Sequence, residues 1–285
     1  LAYEQVTNTA NGRVFNFDTF TYDQILKNAG TDYLVALPKL GVAYKFDDHQ
    51  RVAFTVSEGF RAGFAAVDFD GQVYDVAPEY LWAYELAYRS RWLDGRLEVN
   101  ANAFYYDFRD LQIDVDDPNP LSPQTITRNI GKAHAFGGEV EIRTRPVDGL
   151  SAFLSLGLLK TEFDQALAST GNYAGNSFPE APAVTLNTGG TYRHPSGFFA
   201  SADLSYTASF YSVGDIANTP AERVPSYVLV NAALGYEQKN WSVTLYAKNI
   251  FDEQYVTGIS TSAFGPAEAT VGDGRMLGVR AKATF

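Results

Sequence analysis

The strongest constraint in this chain is a two-residue rhythm of apolar and polar side chains that recurs along nearly its whole length. From Phe198 to Phe210, residues Phe198, Ala200, Ala202, Leu204, Tyr206, Ala208 and Phe210 fall on one side, and Ser201, Asp203, Ser205, Thr207 and Ser209 on the other. Successive side chains of an extended strand point to opposite faces, so such a run builds a sheet with one greasy and one wet face. The same split separates Val228, Val230, Ala232 and Leu234 from Asn231, and Trp241, Val243, Leu245 and Ala247 from Ser242, Thr244 and Lys248. Near the end, Leu277, Val279, Ala281, Ala283 and Phe285 alternate with Arg280, Lys282 and Thr284.

Carried through the chain, the rhythm predicts eleven strands, over 34–46, 51–60, 79–93, 96–108, 126–145, 150–162, 182–193, 197–210, 224–237, 240–253 and 273–285. Several exceed the about 5–6 residues usual for a globular strand. Between them, tight turns at 47–50, 94–95, 146–149, 194–197 and 237–240 are rich in Asp, Asn, Gly and Pro, the residues that turns favour. These alternate without exception with long connections at 61–78, 109–125, 163–181, 211–223 and 254–272. A soluble sandwich has no reason to gather its long connections at one end. A membrane barrel does, with short turns on one side and long loops on the other. The expected fold is therefore all-β, an antiparallel transmembrane β-barrel wall of about eleven strands.

Aromatic residues sharpen the expectation. Tyr44, Phe46, Trp92, Tyr192, Phe198, Tyr236, Trp241 and Phe285 all lie on the apolar face close to the short turns or the chain end. Aromatics favour strands in general, which explains their number. Their common height instead fits a girdle at a membrane–water boundary. Glu58 interrupts the pattern, in phase with the apolar Val52, Phe54 and Val56. Either a bulge beside Gly59 or a position already in the headgroup zone would relieve its cost.

Other classes are excluded. No stretch approaches the roughly 18 consecutive apolar residues of a spanning helix, but strands need only about 10 residues, half of which can be polar. The net charge of −11 argues against a nucleic-acid partner, and the lack of Cys removes disulfides and thiolate metal sites. Only His49, His134 and His194 are available for imidazole chemistry, and no HExxH, GxSxG or GxxxxGK[ST] motif is present. No catalytic, metal or cofactor site is predicted.

On the wet face, Glu98, Asn100, Asn102, Glu139, Glu141, Arg143 and Arg145 read as a polar, charge-balanced lumen lining. Phe60, Arg61 and Phe64 open the first long connection and are the candidate ligand contacts, because a guanidinium fork suits anionic chelates. Asp68, Asp70, Asp75, Asp110, Asp114, Asp116 and Asp117 make the loops acidic. They are read as solvating charge bridged by divalent ions to lipopolysaccharide phosphates, or alternatively as a Ca²⁺ or cationic-cargo site.

Eleven strands with the last one ending on the turn side make the first and last run in the same direction. Residues 1–33 then fall on the loop side, as the remnant of a long extracellular loop, with the barrel occupying 34–285. An open sheet in lipid exposes two edges of unpaired backbone groups. Further strands from a longer protein are therefore expected. The chain starts at Leu1 with no signal-peptide pattern, which fits that expectation. A strand within 13–22 would alternatively make twelve and close a small stand-alone outer-membrane pore or enzyme.

Several stretches resemble TonB-dependent receptors of the siderophore-receptor type, over nearly all of 33–285. They are 37–44 with 57–63, Asn129-Ile130-Gly131-Lys132 leading to Gly138-Glu139-Val140-Glu141, and Asn249-Ile250-Phe251-Asp252-Glu253-Gln254-Tyr255 followed by Gly274-Arg275 and a strand ending in Phe285. The resemblance implies the second half of a 22-stranded barrel. It implies that Asn249, Phe251, Asp252, Tyr255, Gly274 and Arg275 form the family's C-terminal motif, with Phe285 as a signal to the barrel-assembly machinery. It further implies a ferric siderophore or similar nutrient as ligand, lipid and lipopolysaccharide as surroundings, and a TonB complex reached only through a plug domain that this chain lacks.

Overall fold

The computed structural model describes residues 2–16, 19–117, 119, 122, 125–168, 171–262 and 265–284. Eleven strands form one continuous antiparallel sheet in sequence order. They are β1 (Lys39–Lys45), β2 (Gln50–Arg61), β3 (Glu79–Trp92), β4 (Leu97–Arg109), β5 (Gly131–Thr144), β6 (Leu150–Ala168), β7 (Val184–Arg193), β8 (Phe198–Thr207), β9 (Tyr227–Glu237), β10 (Trp241–Lys248) and β11 (Met276–Ala283). Each pairs only with its chain neighbours, so β1 and β11 are free edges of the wall among the described residues.

The register carries each face unbroken from strand to strand. Leu154, Thr188, Leu204 and Val230 lie side by side on the apolar face, and Leu234, Leu245 and Val279 make a second row nearer the turns. On the opposite face Arg89, Asn100, Glu141, Ser155, Asn187 and Ser205 make one polar row across six strands. A hollow of about 410 Å³ on that face is lined from five consecutive strands, β3 to β7, so the sheet curls toward its polar side. On that face Asn102 donates to Glu139 (3.2 Å), Arg143 pairs with Glu141 (2.5 Å) and Arg91 with Glu98 (3.3 Å). Asp203 and Asn231 also meet on the polar face, at 2.7 Å.

The aromatic girdle stands on the apolar face at the turn end. Tyr44 packs edge-on to Phe46, and Phe198, Tyr236 and Trp241 form a chain of ring contacts 4.7 and 5.6 Å apart. Phe285 lies outside the described residues. At the other limit, Glu58, Trp82, Asp107, His134 and Glu162 share one row on five adjacent strands, with no register shift at Glu58 or Gly59. Glu58 is therefore part of a polar belt rather than a bulged defect. From Trp92 to Trp82 is roughly 33 Å along a strand. Tilted by about 40°, that becomes about 25 Å, the height of a barrel's lipid band.

All five tight turns form where the sequence places them. The long connections hold more structure than expected, because each contains its own two-stranded hairpin. These are Phe64–Val67 with Val73–Val76, Gln112–Asp116 with Thr125–Asn129, the end of β6 with Gly171–Asn172, Phe210–Tyr211 with Arg223–Val224, and Val256–Ser262 with Gly265–Val271. The strand expected over 126–145 is accordingly broken at Ile130. Gly131 takes a φ of 126°, and a Cβ there would collide with the Gln165 carbonyl oxygen, so the chain turns out of the wall at a residue only glycine can fill. Residues 13–22 add no twelfth wall strand. Ala2–Asn16 pairs with Thr21–Leu37 in a separate hairpin that enters β1 through Pro38.

Candidate functional site

The loop end is where the chain buries its core. Leu111, Val115, Ile126, Ile130, Ala133, Phe163, Ala166 and Ile216 cluster there, with Tyr74, Phe108, Ile113, Tyr173 and Phe178 packed against them. Phe108, Ala133 and Phe163 are in one register row on the polar face of β4, β5 and β6. The cap therefore grows from the inner, polar side of the loop-end rim.

Hydrogen bonds tie successive loops together. Phe69 N donates to Asp117, Asn119 donates to Asp70, Asn176 donates to the Ile216 carbonyl, and Asn218 exchanges two bonds with the Ser177 backbone. Ser212 Oγ accepts from Ile259 N at 2.7 Å, joining the last hairpin to the one before. Loop carboxylates mostly staple turns: Asp68 accepts from Gln72 N, Asp114 from Thr127, and Asp215 twice from Thr219. The Asn119 and Phe69 backbone N–H groups hold the Asp117 carboxyl below its ordinary range. Burial pushes Asp215 up despite its two bonds from Thr219. Among the described residues no group of three or more His, Asp or Glu is placed to hold a metal ion.

Phe60 and Arg61 are neighbours on β2 and emerge on opposite faces. Phe60 stays with the apolar side, its ring 6.3 Å from Tyr80. Arg61 stands on the polar side, exposed, directly opposite Glu79 in register. Phe64 begins the first loop hairpin, opposite Val76. Of the three, only Arg61 carries a charge, which stands at the loop end of the polar face.

The C-terminal motif forms a compact knot. Asn249, 5% exposed with a φ of 46°, donates its side-chain amide to the Glu253 and Asp273 carbonyls and accepts from Glu253 N, while its own N–H donates to Asn231. Asp252 accepts from Arg275 N at 2.8 Å, with Gly274 against the same carboxylate. Tyr255 lies 4.7 Å from the Tyr227 ring, whereas Phe251 is 76% exposed and joins none of these contacts.

A curled antiparallel wall, apolar outside and polar inside, with turns on one rim and a loop cap on the other, defines a transmembrane β-barrel segment. A family model described as TonB dependent receptor-like, beta-barrel, matches residues 1–250, and the chain belongs to that family. It is 27% identical to the ferric-pyoverdine M114 receptor PbuA of Pseudomonas sp. (strain M114), over 87% of this chain and 29% of that protein. It is also 27% identical to the pesticin receptor of Yersinia pestis, over 87% of this chain and 36% of that one. Among solved structures, the ferric yersiniabactin uptake receptor FyuA from Yersinia pestis superposes with a TM-score of 0.78 at 22% identity, covering 99% of this chain and 42% of that one. The ferric-catecholate import receptor Fiu from E. coli gives 0.71 at 18% identity, covering 93% and 37%. The chain thus spans about a third of the length of the sequence relatives it matches.

Proposed function

We propose that this chain is the C-terminal half of the barrel wall of an outer-membrane receptor in a Gram-negative bacterium, whose intact form imports a ferric siderophore or a similarly anionic iron chelate. Residues 1–33 belong to a long extracellular loop on the capped side. The polar hollow receives a plug domain from the rest of the protein, through which a TonB complex acts. Lipid and lipopolysaccharide surround the apolar band, and the barrel-assembly machinery inserts it using the closing strand with Phe285. The chain itself has no enzymatic role.

The observation that carries this reading is the exposed Arg61 guanidinium at the loop end of the polar face. The Arg61 guanidinium makes no ion pair or hydrogen bond among the described residues, in a chain of net charge −11. An unpaired, exposed guanidinium attracts an anion, and its fork matches carboxylate and catecholate oxygens. Deleting the full-length parent gene is expected to abolish growth on one ferric siderophore under iron limitation, with growth recovered on restoration. Unchanged iron acquisition would sink the reading. Arg61→Gln is expected to weaken binding of that chelate by roughly tenfold or more, the value of a hydrogen bond to a charged group.

A further inference from the structure

Arg61 and Glu79 face each other across β2 and β3. Directly opposed side chains have Cβ atoms about 5 Å apart, so opposite charges there ordinarily pair. These two do not. The Glu79 carboxylate instead accepts a hydrogen bond of 2.8 Å from the backbone N–H of Gln112, which belongs to the next loop.

What fixes Gln112 is its own side chain. Its Nε2 donates to the Ala62 carbonyl (3.0 Å) and the Ala77 carbonyl (2.8 Å), at the two ends of the first loop. Asn129, opposite Gln112 in the loop hairpin, grips the same point, accepting from Ala77 N (2.7 Å) and donating to the Ala77 and Asp110 carbonyls. Gln112 is only 5% exposed, and its Oε1 is buried without a partner. Leaving an acceptor unsatisfied is costly, so the amide is oriented for its two donors.

We infer that Gln112 and Asn129 form a buckle that holds the Glu79 carboxylate away from Arg61 and so keeps the guanidinium free for an anionic ligand. They are positioning residues. The inference deepens the reading of Arg61 as a ligand contact and rests on it for its functional meaning. Without the buckle, the Gln112 N–H moves off, Glu79 swings onto Arg61, and the ion pair competes with the ligand.

The test uses the intact receptor and a probe indifferent to ligand identity: the rate at which phenylglyoxal modifies Arg61, followed by mass spectrometry of its peptide. Gln112→Ala is expected to slow that rate several-fold, Gln112→Glu to do the same while keeping the side-chain volume, and Glu79→Gln alone to leave it unchanged. The double variant Gln112→Ala with Glu79→Gln is expected to recover the wild-type rate, which a loop merely collapsed over Arg61 would not do. An unchanged rate in both Gln112 variants, a slow rate persisting in the double variant, or a faster rate in Glu79→Gln alone overturns the inference. Ferric citrate titrated against the same variants should follow the same order of affinities. If Arg61→Gln binds ferric citrate and every ferric siderophore tried as tightly as wild type, the reading of Arg61 fails, whatever the modification rates show.

Discussion

The wall and the cap bury their apolar residues in opposite ways. On the wall, Leu40, Val42, Leu234, Leu245, Leu277 and Val279 are all more than half exposed, and the sheet has no second layer to cover them. In the cap, Phe163 is 1% and Val115 3% exposed, as in the interior of an ordinary soluble domain. The cap's polar side chains are spent on neighbouring backbone, whereas the wall satisfies its backbone through its own ladder. The difference teaches that one chain is folded for two solvents. Hydrocarbon tolerates bare Leu and Val but no unpaired backbone group, and water demands the reverse economy of apolar surface.

That contrast can be broken by substitution. Phe163→Ala is expected to have the largest effect, about 3–5 kcal/mol, the cost of emptying a packed aromatic site. The loss should stay in the cap: hydrogen exchange should rise in the loop hairpins while resistance of the wall to unfolding in detergent is kept. A wall that melts together with the cap would show the two to be one cooperative unit. Next, Leu204→Arg, mid-height on the apolar face, should cost about 2–4 kcal/mol in lipid, read as a lower urea midpoint in bilayers. The same change at Asn187, on the polar face, should leave the midpoint unmoved.

Asn249→Ala should cost about 2 kcal/mol, because the Glu253 and Asp273 backbone groups lose the partner that Asn249 provides and a Cβ-bearing residue without a helpful side chain is forced into the left-handed region. Asn249→Gly relieves the second part only, so its urea midpoint should lie between those of wild type and Asn249→Ala. The smallest effect is a pH dependence in the cap. Asp117 has a carboxyl lowered by backbone N–H groups, so its contribution is complete above its ordinary 3.8 and is lost as pH falls through the lower folded value. Hydrogen exchange at Phe69 N should accelerate below that point in wild type, and Asp117→Asn should flatten the profile.

The wall was legible in the sequence because its rhythm is written by the solvent on each side. Eleven wall strands form near their expected places, although those expected over 34–46 and 126–145 enter the wall only at Lys39 and Gly131, and Glu58, out of phase with its own strand, is resolved by neighbours on other strands that a single strand cannot show. The cap was not legible. Phe64–Val67 and Val73–Val76 are too short to display a period, and the run through Ile130 kept its apolar phase while Gly131 turned the backbone away. The acidic loop residues looked like a surface property, whereas Asp117 accepts from the Phe69 backbone N–H and Asp70 from the Asn119 side-chain amide, each brought from a loop about fifty positions away. Arg61 is proposed from its chemistry alone. Gln112 could not be, since nothing in its local run distinguishes it until folding sets it against Ala62 and Ala77.

Eleven is an odd number, and parity has a consequence for assembly. Both margins of the wall, β1 and β11, run from the capped rim toward the turns. Whatever completes the cylinder by antiparallel ladders has to begin and end with strands travelling the other way, and so has to contribute an odd count of its own. A second copy of this wall, inserted with its loops on the same side, would meet both margins head-to-head in parallel. Self-association cannot close the ring through antiparallel ladders; only a complement of opposite polarity can.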